Sequence, residues 1–167
     1  LGAIQSPATL DRIERARTLG VPILRDSAPI VQPEYPNART ATPLVLRGDT
    51  RLRAQYEHEW FGPIAFVVPV ASFEHGLEEM TGSVRRCGVL STLVYTTDGS
   101  LQSAAEEALL AAGAPVAFNF SGPVWINQSA AFSDFHGTAA TRAGNASFTD
   151  VAFVASRYSV VGTRCGE

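Results

Sequence analysis

The stretch VLSTLVYTTDGSLQSAAEEALLAAGAPVAFNF, residues 89–120, sets a β-rich run, an Ala-rich helical run and a second β-rich run in immediate succession. Val89–Tyr95 is apolar, partly β-branched and too short for a stable helix, so it reads as a strand. Ser100 then stands where a cap belongs for a helix over Leu101–Ala112, and Gly113 supplies the left-handed residue that ends it. Val116–Phe120 resumes strand character. A helix between two strands with short connections returns the chain in the same direction, so this unit predicts parallel pairing.

Working upstream, Ser6-Pro7 followed by Leu10, Ile13, Ala16 and Leu19-Gly20 has the cap, first-turn proline, apolar stripe and terminal glycine of a helix. Val21–Leu24 reads as a short strand, Pro29, Pro33 and Pro36 mark an exposed excursion, and Leu44–Leu46 resumes the strand pattern. Residues Thr50–Glu59 suit a short helix, Ile64–Val70 a buried strand, and Ser72 caps a helix running to about Met80. Downstream, Val124–Asn127, Val151–Val154 and Tyr158–Val161 are strand candidates around a small, polar loop over Ser129–Asn145. The fold class this predicts is α/β, with alternating helices and strands in a largely parallel sheet.

A chain of 167 residues, 46% apolar and 17% charged, has room for one domain of ordinary globular make-up. All 13 basic residues are Arg, which excludes a Walker lysine, a Schiff-base lysine and a Ser-Lys pair from these residues. The Arg residues are scattered and the net charge is -3, so no nucleic-acid partner is expected. No apolar run reaches the length of a membrane span, and no membrane partner is expected. His58, His75 and His136 lack ligand spacing, so no metal is expected, and two cysteines make no disulfide framework, which suits a reducing cytoplasm. Cys87 reads as a half-buried structural thiol ahead of a strand, and Cys165 as exposed.

The most informative motif is Glu57-His58-Glu59-Trp60-Phe61-Gly62-Pro63, between the short helix and the Ile64 strand. It resembles the Glu-x-Phe-Gly-Pro signature of the aldehyde dehydrogenase superfamily, matched by Glu59, Phe61, Gly62 and Pro63. The order of surrounding elements agrees with that family over nearly the whole chain. Asn127–Thr138, which reads NQSAAFSDFHGT, is most similar to the PaaN-type branch of phenylacetic acid degradation and departs from the commoner Pro-Phe-Gly-Gly loop.

The resemblance implies the C-terminal portion of an aldehyde dehydrogenase catalytic domain over 1–167, with 150–164 as a terminal strand region used in homo-oligomerisation. It implies NAD or NADP as cofactor, with Glu59 accepting hydrogen bonds from the nicotinamide ribose hydroxyls and Phe61 lying beside the nicotinamide ring. A carboxylate can take two hydroxyl donors, and an aromatic face offers an apolar wall. Phe132 and Phe135 would line the entrance for an aldehyde substrate from aromatic catabolism, with His136 on the same loop. The reaction implied is oxidation of an aldehyde to a carboxylic acid. The family's nucleophilic cysteine, general-base glutamate and coenzyme domain belong to segments before the part matching Leu1, so no catalytic residue is assigned here and the chain alone is expected to be inactive. The alternative is a non-enzymatic interaction or assembly module of the same fold, in which Glu59 is inert.

Overall fold

The computed structural model describes residues 4, 6–89, 92–114, 116–119 and 163–165, which fall into two compact units, 1–70 and 71–167. The sequence-predicted elements at Val124–Asn127, Val151–Val154 and Tyr158–Val161 and the loop over Ser129–Asn145 lie outside the described residues.

In the first unit, helix α1 spans Pro7–Arg17. Ser6 Oγ accepts the Ala8 N–H at 3.2 Å, and Pro7 costs no hydrogen bond in the first turn. Ile13 and Ala16 are buried against Leu44 and Leu46, with Leu10 and Leu19 packed beside them. Burial of a Leu or Ile side chain contributes roughly 1.5–3 kcal/mol, so this stripe holds the helix on the sheet. The sheet has the order β1-β2-β3, with β1 over Ile23–Arg25, β2 over Leu44–Arg47 and β3 over Ile64–Val67. β2 and β3 are parallel, Leu44 opposite Ile64 and Leu46 opposite Phe66, while β1 is antiparallel to β2.

Two expectations need correction here. The strand after the Gly-Pro turn is four residues long and alternates between half-buried and exposed positions, because Ile64 and Phe66 pack on the α1 side and the other face is open among the described residues. The helix expected within Thr50–Glu59 is a single 3₁₀ turn, Arg53–Gln55, with no buried residue to extend it. The proline excursion is closed at its neck by paired backbone: Thr42 N–H donates to Ala28 O at 2.9 Å and Ile30 N–H to Thr40 O at 3.2 Å.

In the second unit, α2 spans Phe73–Cys87, β4 Thr92–Val94, α3 Gly99–Ala112, β5 Val116–Phe118 and β6 Thr163–Cys165. The sheet order is β4-β5-β6, and both pairs are parallel. Ser72 caps α2 as expected, but the helix continues past Met80, because Leu77, Met80, Thr81 and Val84 extend one inward face through Gly82. The cap of α3 is Asp98 and not Ser100: its carboxylate accepts the Ser100 N–H at 2.8 Å and the Leu101 N–H at 3.4 Å. These bonds, the Ser100 hydroxyl's foremost, hold its carboxyl below the usual range. Gly113 ends α3 in the left-handed region at φ 76°, with Gly113 N–H donating to Leu110 O and Ala114 N–H to Leu109 O, both at 2.9 Å. The core gathers Val84, Val94, Ala105, Leu109, Val116 and Phe118.

Asn119, at φ 51°, bonds both ends of its side-chain amide to Thr96, accepting from its N–H and donating to its carbonyl, each at 2.9 Å. This clasp ties the end of β5 to the residues after β4.

Candidate functional site

Between the 3₁₀ turn and β3 the chain turns and bends at 56–58 and again at 62–63, with 59–61 between the bends. Trp60 points inward: it packs on the Leu44–Leu46 cluster, its Nε1–H donates to Gln55 O at 2.9 Å, and its ring lies 6.1 Å from Phe66. The His58 ring sits 4.5 Å from the indole. With Trp60 turned in, Glu59 and Phe61 on either side of it are exposed, Phe61 to 67%. The Glu59 carboxylate has no hydrogen-bond or ion-pair partner among the described residues, so both of its oxygens are open to hydroxyl donors.

Gly62 has φ 150°, a conformation L side chains rarely adopt, and a Cβ there would lie 2.8 Å from Thr9 Cγ2 of α1. Glycine is required on both counts. Pro63 O accepts the Leu44 N–H at 2.9 Å, which joins the exit of the turn to β2. Arg12 of α1 reaches across: Nη1 donates to Phe61 O at 3.1 Å and to Thr9 Oγ1 at 3.3 Å, and its guanidinium carbon lies 5.8 Å from the Phe61 ring centre.

The structure therefore brings two sequence-predicted residues, Glu59 and Phe61, together on one turn. Phe132, Phe135 and His136 lie outside the described residues. Thr9 and Arg12 escaped the sequence reading, because nothing local to α1 marks a contact with a turn some fifty positions on. Cys87 corrects another expectation: it is exposed and ends α2, where the helix runs on far enough to carry it out of the core. The proline excursion also encloses an open groove of about 670 Å³, lined among others by Tyr35, Pro36 and Asn37. No group of His, Cys, Asp and Glu among the described residues is arranged to hold a metal, and no helix among them is long and apolar enough to cross a membrane.

The turn thus presents an exposed carboxylate, Glu59, and an exposed aromatic ring, Phe61, on an α/β scaffold. The chain is similar to one solved example, the crystal structure of the NAD-dependent aldehyde dehydrogenase from Burkholderia multivorans, at 42% identity and a TM-score of 0.74. The likeness covers 96% of this chain and 29% of that one. No protein-family model matches the chain, and neither does any curated protein.

Proposed function

We propose that this chain supplies the coenzyme-positioning turn and part of the substrate wall of an NAD(P)-dependent aldehyde dehydrogenase of the PaaN-like branch, acting on an aldehyde from phenylacetate-type aromatic catabolism in the cytoplasm. The observation that carries it is the Glu59–Phe61 pair, both exposed on a turn whose intervening Trp60 is partly buried against the core. The nicotinamide neighbour at 42% identity supports the same reading.

In this role Glu59 would accept the ribose hydroxyls and Phe61 would offer an apolar wall to the nicotinamide ring. A nicotinamide coenzyme held there would supply the hydride acceptor for the oxidation. The turn contributes orientation: a reacting geometry held in advance removes part of the entropy cost of the step. Phe132 and Phe135 would keep the aldehyde's aromatic body out of water. Self-association is proposed through the terminal strand region, where β6 pairs with β5 on one side and with no strand on the other among the described residues. The chain by itself is proposed to turn over no aldehyde.

The test is Glu59→Gln in the whole enzyme. It keeps the side-chain shape and replaces one acceptor oxygen by a donor. Hydrogen bonds to a charged group have magnitudes that translate to roughly one to two decades in coenzyme affinity or turnover, with stability barely moved. Wild-type kinetics in E59Q would refute the reading.

A further inference from the structure

Among the described residues, the polar contacts of Arg12 go to Thr9 and to Phe61 of the turn. Helix α1 is already held on its sheet by Ile13 and Ala16, so Arg12 is not needed to dock the helix. Its planar guanidinium can donate along its edge while its face lies over a ring, and both are found: donation to Phe61 O at 3.1 Å, and 5.8 Å from the guanidinium carbon to the Phe61 ring centre. The further bond to Thr9 Oγ1 fixes the guanidinium, and Thr9 is itself buried with its methyl against Gly62. Phe61 is two-thirds exposed, so without these contacts its ring and the adjoining peptide would sample several orientations, each to be given up on binding.

We infer that Arg12, braced by Thr9, is a positioning residue that holds Phe61 and Glu59 in the orientation that receives the nicotinamide riboside half of the coenzyme. This rests on the coenzyme-facing role proposed for that turn.

The test uses the 167-residue chain as wild type, R12M, R12K, E59Q and R12M/E59Q. One readout is amide exchange of Leu44 and Ile64, whose N–H groups bond to Pro63 O and Gly62 O, compared with amides inside α1. The other is titration with reduced nicotinamide mononucleotide followed by saturation-transfer NMR. In R12M the two turn amides should exchange roughly tenfold faster while those of α1 hold, and affinity should fall several-fold. R12K keeps one donor and should recover part of both. The double variant should bind about as weakly as E59Q alone, because both changes act through one turn. Unchanged exchange in R12M, or losses that add in the double variant, would overturn the role of Arg12. Binding lost in E59Q but intact in R12M overturns the role of Arg12 alone, and no binding in wild type overturns the coenzyme reading together with it.

Discussion

The unit of residues 1–70 keeps its buried sheet positions on one strand, Leu44 and Leu46 of β2, whereas in the unit of 71–167 all three residues of β5 are buried and Thr92 and Val94 of β4 join them. In the first unit β1 is exposed at every position and β3 at every second one. The difference teaches where shape comes from. A strand buried on both faces and paired on both sides is fixed by packing together with its hydrogen-bond ladders, so the second unit needs only capped helices around it. The half-covered sheet holds the exposed turn only at its exit, through the Leu44 N–H on Pro63 O, and the side chains of Arg12, Thr9 and Trp60 hold the rest.

The comparison is most severely tested at Phe118, which is 1% exposed in the second core. Phe118→Ala should cost about 3–5 kcal/mol in denaturant unfolding, more than Leu46→Ala costs. Equal losses would erase the contrast between the two cores. Next comes Gly62→Ala, expected to destabilise by roughly 1–3 kcal/mol through its positive φ and its approach to Thr9. Adding Thr9→Ser removes the opposing methyl and should return the steric part only. If urea titration finds no recovery in the double variant, the close approach of α1 to the turn is not what demands glycine.

The smallest effect is electrostatic. Asp98 has a carboxyl held below its ordinary value of 3.8, mainly by the Ser100 hydroxyl. A depressed value in the folded state means the stabilisation is complete above that ordinary value and is lost as pH falls through the lower, folded one. Asp98→Asn still caps but does not titrate. Thermal melts of wild type and D98N should therefore differ most above pH 3.8 and converge as pH falls further below it; a gap independent of pH would place the stabilisation elsewhere.

Much of this was legible in the amino-acid order where the signal is local. Ser6-Pro7 and Gly20 bracket α1, Gly113 ends α3, and Glu59, Phe61, Gly62 and Pro63 announce the turn. What escaped is tertiary. Gly82 looks like a reason for α2 to stop near Met80, yet the burial of Thr81 and Val84 outweighs the modest helix penalty of one glycine. Asp98 and Ser100 are both competent caps, and only the chain's path decides between them. Arg12 resembles any surface arginine until Phe61 is folded against it.

The position of β6 bears on the order in which the second unit assembles. Its pairing with β5 joins Val116 to Thr163, a more distant contact along the chain than Thr92 with Val116, and so costs more chain entropy to form. β4, α3 and β5 are near neighbours in the chain and meet that cost in smaller steps. During folding, then, a parallel pair with its helix forms first, and one edge of β5 waits open for a partner that arrives late. Pulse-labelled exchange, with the β5 amides protected in two phases, is the kinetic trace such an order leaves.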